Sequence, residues 1–484
     1  MDPRSILDLL EKHGQPHILD HVRRLSTEKR ESFCRNVARL NLPLAFQLYK
    51  EFSQPKGSRT GLPGMETAPV ISIPKTMETA PVISIPKTVE PAPVISIPKT
   101  PEEIQHRKKA IHVGESLIRG NQVAVLIVAG GQGSRLGFPG PKGFFPISPV
   151  KEKPLFQLFA ESIRALSARY RATIPLLVMT SQENREETEA FFGSRRFFGL
   201  PENQVHFFCQ GMLPTLTPGG KLILGDEANL LSNPDGHGGS LKALYESGLT
   251  ERLKGQGISE IFYCQVDNPL AKIADPAFVG YHRLEGADIS TKVVRRRNLE
   301  EKVGIYGVVN SKPAIIEYSD FSPEDYRSRD EQGNLRHWAG NIAILMISLS
   351  FVDRLNRQGF ALPYHRAVKE VEGLGLGGRK EKMAALKFES FVFDSIPLAR
   401  KSCCLEVVRE EEFAPVKNQT GIDSPDTARQ AMSSLFRRWV TEAGGEVAPN
   451  AQVEISPLFA LDKEELAEKL KGKKVAVRED TYFG

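Results

Sequence analysis

Apolar positions along this chain fall into two patterns, separated by a stretch that shows neither. In the first fifty residues they recur at helical spacing. Ile6, Leu9 and Leu10 share one face behind Asp2 as a cap and Pro3 at the first helical position, and a second helical stretch is predicted from Phe33 to Tyr49. From Ser53 the period stops and Gln, Pro, Lys and Gly take over. Order returns at Thr100, which with Pro101 next and Glu103 three residues on forms a capping box for a helix running toward Ile118. Val123–Ala129 is then a continuous apolar run, as a strand buried on both faces requires. Beyond it the elements alternate: helix Leu155–Tyr170, strand Leu176–Met179, helix Glu183–Phe192, strand Val205–Phe208, helix Leu241–Leu253, strand Ile261–Val266. This alternation predicts an α/β fold whose mostly parallel sheet carries helices on both faces. After Lys292 strands become more frequent, and the last hundred residues are expected to form a smaller lobe packed on the first.

The stretch between the two patterns contains an internal repeat. Met65–Thr76 and Met77–Thr88 are the same twelve residues, METAPVISIPKT, and Val89–Thr100 repeats them as VEPAPVISIPKT. Each copy has Pro on both sides of Val-Ile-Ser-Ile, so any strand must be short and broken. An extended linker is the expectation; the alternative is edge pairing of Val-Ile-Ser-Ile with a partner sheet. The expected organisation is a helical N-terminal segment (1–52), a Pro-rich linker with three repeats (53–100), a catalytic domain (101–390) and a small C-terminal α+β domain (391–484).

Composition narrows the function by exclusion. The 484 residues are 40% hydrophobic and 25% charged with a net charge of +5. That charge is too mild for a nucleic-acid binder, and Arg295-Arg296-Arg297 reads as a solvated face. Five cysteines (Cys34, Cys209, Cys264, Cys403, Cys404) form no metal-spaced set. They point to a reducing compartment, hence a cytoplasmic protein. Met1–His13 carries Asp8 and Glu11 and lacks an apolar secretory core. The longest membrane candidate, Ala339–Val352, falls short of the about 18 residues a span needs.

Three constellations carry chemistry. Ala129-Gly130-Gly131-Gln132-Gly133-Ser134-Arg135-Leu136-Gly137, followed by Pro141-Lys142-Gly143, comes directly after the buried strand. Such a loop brings bare backbone amides to phosphate oxygens, with Arg135 as a planar fork and Lys142 as a point charge. It is one residue too long for the dinucleotide fingerprint, and Pro141 and Gly143 around Lys142 exclude a Walker A loop. The strand Ile261–Val266 ends in Asp267, a carboxylate at the crevice where α/β enzymes bind ligands. One carboxylate there suits Mg²⁺, which takes its other ligands from substrate phosphates. Pro234-Asp235-Gly236-His237-Gly238-Gly239-Ser240 precedes a helix, and its His237 is open to three readings: structural turn, ligand contact, or acid–base group.

Together these motifs resemble the UTP-dependent uridylyltransferases, with the UDP-N-acetylhexosamine pyrophosphorylases as the nearest branch and the UDP-glucose pyrophosphorylases beside it. The matching blocks run in family order from Gln122 to Leu458: Gly130–Lys142, Phe208–Pro214, Pro234–Gly239, Val266–Asn268, Ile316–Ser319, Trp338–Asn341, Lys387–Asp394, Glu412–Asn418 and Glu454–Leu458. The resemblance implies a Rossmann-like, GT-A-like nucleotidyltransferase fold with a mixed sheet. It implies that Val128, Ala129, Gly130 and Gly131 line the nucleotide, with Gln210 and Gly236 on the uracil and Lys142 and Lys387 on phosphates. Asp267 would hold Mg²⁺ (or Mn²⁺). His237, Glu317, Tyr318 and Asn341 would meet the sugar, and Lys417 the sugar phosphate. Arg135, Lys142 and Lys417 are the implied catalytic cations, and UTP and a sugar 1-phosphate the implied partners. His237 stands where N-acetylhexosamine members usually carry Asn and is similar to the glucose branch, whereas Gly-Gly-Gln-Gly-Ser-Arg-Leu-Gly matches the N-acetylhexosamine branch. N-acetylglucosamine 1-phosphate is therefore the expected acceptor and glucose 1-phosphate the alternative. A nucleotide-sugar sensor without chemistry and an interaction protein organised by its repeats are the rivals from other classes.

Overall fold

The continuous apolar run after Gln122 becomes the centre of the architecture. A computed structural model of the protein describes residues 3–53, 89–375 and 378–484. Asp2, the expected cap, and the first two repeats lie outside these residues. By contact density the described chain divides into two compact units interleaved in sequence: 3–53, 210–243 and 360–394 make the first, and 89–209, 244–359 and 395–484 the second. The boundary expected at 390–391 thus falls inside the last segment of the first unit.

A ten-stranded mixed sheet organises the second unit. Its strands in chain order are β1 (Glu90–Pro91), β2 (Val123–Val128), β3 (Leu176–Thr180), β4 (Val205–Cys209), β5 (Glu260–Gln265), β6 (Ile289–Arg295), β7 (Ile305–Val309), β8 (Lys312–Ile316), β9 (Ala339–Ser348) and β10 (Ser402–Glu406). β2 runs parallel to β3 on one side and to β5 on the other, and β4 continues outward from β3. Strand order therefore reverses between β2 and β5. A crevice opens at the carboxyl ends of strands at such a switch point, and the chain leaves β2 into the glycine-rich loop and β5 into Asp267. β9 is antiparallel to β5, β6 and β7, which makes the sheet mixed. The apolar run 339–352, too short for a membrane, is this strand followed by the helix Leu349–Asn356. No helix among the described residues is long and apolar enough to cross a membrane.

The capping box forms as predicted: Glu103 N donates to Thr100 Oγ1 at 3.2 Å, and Glu103 Oε2 accepts from Thr100 N at 3.0 Å, opening Pro101–Arg119. The helix predicted over Leu241–Leu253 is instead two, Gly239–Glu246 and Leu249–Gly255. Gly248 at φ +74° breaks it, a left-handed turn that hydrophobic spacing does not signal. Likewise Phe33–Tyr49 spans two helices, Thr27–Val37 and Leu42–Ser53. Arg296 is not on a solvated face. It is buried, donating to the carbonyls of Tyr326 (2.8 Å) and His337 (3.1 Å), because those carbonyls lack other donors where the chain turns. β10, Pro425–Glu442 and the parallel pair Val453–Ile455 with Thr481–Phe483 follow in the last segment, and Leu435, Val453 and Ile455 belong to the same apolar core as β2.

In the first unit the helices Pro3–Lys12, Pro16–Arg24, Thr27–Val37 and Leu42–Ser53 bury Ile6, Leu10, Ile18, Val22 and Phe33. The same core takes Met212 and Leu213 of a short hairpin and Leu386 and Phe388 of a long one, His365–Leu374 with Lys380–Glu389. Buried Gln15 is the polar tie: its amide donates to Gly220 O at 3.0 Å and accepts from Leu222 N at 2.9 Å.

Candidate active site

The loop after β2 folds on its own backbone. Lys142 N donates to Gly131 O (3.1 Å), Gly133 N to Gly140 O (2.8 Å) and Leu136 N to Gly133 O (2.8 Å). The amides of Gly130, Gly131 and Gln132 donate to no backbone carbonyl among the described residues. Gly131 is exposed, and a methyl group built on it would meet no atom within 4 Å. Protein packing therefore does not explain the glycine, whereas close approach of a ligand to the amide does. The base of the loop is pinned by Asn184, which the sequence did not single out. Fully buried, it donates from Nδ2 to Ala129 O (3.1 Å) and accepts at Oδ1 from Ser181 N (2.8 Å).

Asp267 leaves β5 beside this loop, and Lys142 Nζ lies 3.4 Å from its Oδ2, both side chains largely buried. The two charged groups predicted from separate motifs are thus one pair. Asp267 O also accepts from Val416 N at 2.8 Å, which brings the Lys417 segment to the end of β5. Asn268 makes that attachment double: Nδ2 donates to Glu412 O (2.7 Å) and Oδ1 accepts from Ala414 N (3.1 Å). Beneath it, fully buried Lys292 lies 2.6 Å from Glu412 and 2.8 Å from Asp275. Burial alone would raise the Asp275 carboxyl, but the Lys292 and Lys272 ammonium groups overcome it and hold it at about 2. Lys417 is exposed on a loop closed by its own amide on Asp423 O (2.7 Å), and Gln419 of that loop packs on Gly137. No ion pair joins Arg135 or Lys417 to the other site residues among those described.

Glu317 and Asn341 come together around Gly304. Asn341 N donates to Gly304 O at 2.8 Å, and a methyl on Gly304 would approach Glu317 Oε1 to 3.2 Å. Asn341 Oδ1 accepts from Ala343 N (3.1 Å) and Thr291 Oγ1 (3.2 Å), holding a bulge in β9 where Ala343 has φ +55°. Its Nδ2 remains the group available to a ligand. Tyr318 opens the short turn Tyr318–Asp320 that follows Glu317.

Gln210, Gly236, His237 and Lys387 belong to the first unit. Gly236 adopts φ +89°, and a methyl there would strike Ser390, 2.6 Å from its N. Unlike Gly131, this glycine is required by the fold. His237 Nδ1 accepts from Val392 N at 3.1 Å, so its single proton sits on Nε2. The ring lies against Phe391 and Phe393, and His365 stacks on Phe391 at 4.5 Å and is bonded to Asp394 at 2.8 Å. Burial, with the charge of His365 second, pushes His237 down to about 4, so it is neutral at physiological pH. Burial beside Lys369 likewise lowers Lys387. Gln210 is buried at the end of β4.

The sequence profile of the UTP–glucose-1-phosphate uridylyltransferases matches residues 87–469. The chain belongs to this family. Within it, the chain is 38% identical over 375 residues to the UDP-N-acetylglucosamine pyrophosphorylase of Saccharomyces cerevisiae, covering 75% of this chain and 78% of that one. It is 31% identical over 486 residues to UDP-N-acetylglucosamine diphosphorylase 2 of Arabidopsis thaliana, covering 96% and 91%. The crystal structure of the Trypanosoma brucei UDP-N-acetylglucosamine pyrophosphorylase in complex with an inhibitor superimposes over 99% of both chains with a TM-score of 0.79 at 25% identity. A UDP-glucose phosphorylase of the same organism, 22% identical, shares the fold over 62% of this chain and 64% of its own (TM-score 0.52). As a family member this uridylyltransferase is an enzyme, which removes the sensor and the repeat-organised interaction protein as whole-chain readings.

Proposed function

We propose that this uridylyltransferase joins UTP and N-acetylglucosamine 1-phosphate to give UDP-N-acetylglucosamine and pyrophosphate. The observation that carries the reading is the pairing, at the switch point between β2 and β5, of an amide-lined loop with Lys142 and Asp267. The names borne by its relatives supply the acceptor. In the reaction an oxygen of the sugar phosphate forms a bond to the α-phosphorus while the bond from that phosphorus to the bridging oxygen breaks, and pyrophosphate leaves with the electron pair. The attacking oxygen is already anionic, so no general base is required, and catalysis is alignment plus charge compensation.

In this reading the amides at Gly130–Gln132 and the Lys142 ammonium take UTP phosphates, and Arg135 and Lys417 compensate charge as it shifts. Gln210 and Gly236 serve the uracil, Val128 and Ala129 the ribose side, and Lys387 a nucleotide phosphate. Glu317, Tyr318 and Asn341 take sugar hydroxyls. Neutral His237 offers one Nε2–H donor to a sugar hydroxyl, not a cation to a phosphate. Asp267 would hold Mg²⁺. A single carboxylate fits an ion that completes its shell with phosphates and water, and the described residues contain no acidic or histidine cluster that would act as a dedicated cage. Bound there, the ion would neutralise phosphate charge. Five free thiols support a reducing, cytoplasmic setting.

His237 favours one second reading, glucose 1-phosphate as acceptor. Pyrophosphate release with UTP and Mg²⁺ is to be measured against N-acetylglucosamine, N-acetylgalactosamine and glucose 1-phosphates. Turnover with glucose 1-phosphate alone would replace the first reading by the second, and no turnover with any would end both.

A further inference from the structure

The third repeat is not free linker. Glu90 and Pro91 pair antiparallel with Val308 and Gly307 of β7, and Val89 packs on the small apolar cluster of Ile305, Ile316, Phe321 and Tyr326. Four residues on, Ile95 forms a parallel bridge with Leu405 of β10: its N donates to Cys404 O at 2.8 Å, and its O accepts from Glu406 N at 2.9 Å. The half-buried Ile95 side chain packs on the main core. Edge pairing of Val-Ile-Ser-Ile, the alternative to a plain linker, therefore occurs within the chain's own sheet, at one residue. Pro93 and Pro98 cannot donate to a neighbour, which keeps the pairing this short. β7 is shaped to receive the segment. A methyl group on Gly307, in the middle of that strand, would come within 3.1 Å of both Glu90 O and Val89 Cγ1, so this glycine marks a close approach of two backbones.

Both attachments lie next to the residues read as sugar contacts. On one side, Gly304 O accepts from Asn341 N at 2.8 Å, and Gly340 pairs with Ile305 of β7. β7 also pairs with β8, Ile305 opposite Ile316, and β8 runs directly into Glu317. Tyr318 packs on the same small cluster as Val89. The second attachment reaches Asn341 from the opposite side. β10 pairs with β6, Cys404 opposite Thr291, and Thr291 Oγ1 donates to Asn341 Oδ1 at 3.2 Å. Residues 89–95 thus tie β7, which flanks β9, to β10, which flanks β6. The cluster behind Tyr318 buries four side chains among the described residues, so edge pairing carries a large share of its order. The glycine-rich loop is remote from this edge, because β9 and β5 stand between β7 and β2.

We propose that residues 89–95 are a strap that positions the sugar subsite: paired with β7 at one end and β10 at the other, they hold Gly304, Glu317 and Asn341 in their sugar-binding arrangement and so set affinity for the sugar 1-phosphate and not for UTP. This rests on the proposed role of Glu317, Tyr318 and Asn341 in taking the sugar. Val89 and Ile95 act through those residues and are positioning residues. If release of the strap leaves about a tenth of the molecules in that arrangement, apparent affinity for the sugar phosphate falls on the order of tenfold.

Val89→Asp and Ile95→Asp release the two ends separately, and hydrogen exchange at the Glu406 amide, which the Ile95 carbonyl protects, reports release of the second. Each substitution should raise KM for N-acetylglucosamine 1-phosphate on the order of tenfold, leave KM for UTP within about twofold, and speed exchange at the Asn341 amide. Ile95→Val should behave as the unaltered protein. Where an aspartate variant does not fold, Val89→Ala and Ile95→Ala supply the same measurements with a smaller rise. An unchanged KM for the sugar phosphate in a folded, released variant overturns the proposal, as does a KM that rises in step with that for UTP; either leaves the strap a part of the fold only. Absence of turnover by the unaltered protein with any sugar 1-phosphate would end the proposed function instead, and exchange at Asn341 then decides the strap. Faster exchange in both aspartate variants supports its hold on Asn341, and unchanged exchange overturns it.

Discussion

Replacing Gly131 by Ala separates a glycine kept for a ligand from one kept for the fold. A methyl group at Gly131 meets nothing within 4 Å, and the residue does not have a positive φ. Folding stability should therefore hold within about 0.5 kcal/mol, or rise by about 0.4–1 kcal/mol because alanine narrows the unfolded ensemble. Function should not hold. If the Gly131 amide donates to a UTP phosphate, a methyl beside it lengthens or removes a hydrogen bond to a charged group worth about 1.5–3 kcal/mol. At 1.4 kcal/mol per factor of ten, that is roughly a 10- to 100-fold fall in kcat/KM for UTP. The assay is pyrophosphate release at saturating sugar 1-phosphate with UTP varied, alongside thermal unfolding. The control is Gly236→Ala, whose methyl would collide with Ser390 at φ +89° and should lower Tm. A Gly131→Ala enzyme with unchanged kinetics refutes the phosphate-cradle argument, and one with a Tm fallen as far as that of Gly236→Ala returns the glycine to the fold.

Other substitutions probe the rest of the site. Lys142→Ala should reduce kcat on the order of 10²–10³ in a folded protein; near-normal turnover would remove Lys142 from the chemistry. Asn268→Ala, which releases Glu412 O and Ala414 N, should lower kcat more than it raises KM for UTP, since it loosens the Lys417 segment while Lys142 stays in place; a fall in Tm with unchanged kinetics would make Asn268 purely structural. Lys292→Ala removes the buried ammonium bonded to both Asp275 and Glu412, leaving them the more distant Lys272, and should cost up to about 3–5 kcal/mol in denaturant unfolding. Because folding depresses His237 to about 4, the unfolded chain binds the extra proton. The stability this group contributes is present above its ordinary value near 6.5 and is lost as pH falls toward 4. His237→Asn should flatten that part of a Tm-against-pH curve and change the ratio of kcat/KM between N-acetylglucosamine and glucose 1-phosphates; an unaltered ratio would clear His237 of sugar selection.

How much was legible in the sequence can be judged residue by residue. The amphipathic and apolar runs determined the helices from Pro101 and Leu155 and strands β2 to β5 to within a residue or two, because burial on one or both faces imposes a period the chain cannot hide. The glycine-rich loop and Asp267 were visible for the same reason: each follows directly on a buried strand. Short-range spacing does not encode what happens when distant segments meet. Arg296 as a buried donor and Ile95 as a bridged residue depend on partners contributed from elsewhere in the chain, and the break at Gly248 is a local left-handed turn that hydrophobic spacing does not mark. The Lys142–Asp267 pair, the double hold of Asn268 on the Lys417 segment and the pin of Asn184 under the loop join residues from 55 to 146 positions apart. Lone lysines and asparagines have no periodicity of their own, so only the tertiary structure, by bringing their hydrogen-bond partners within reach, determines which of them matter.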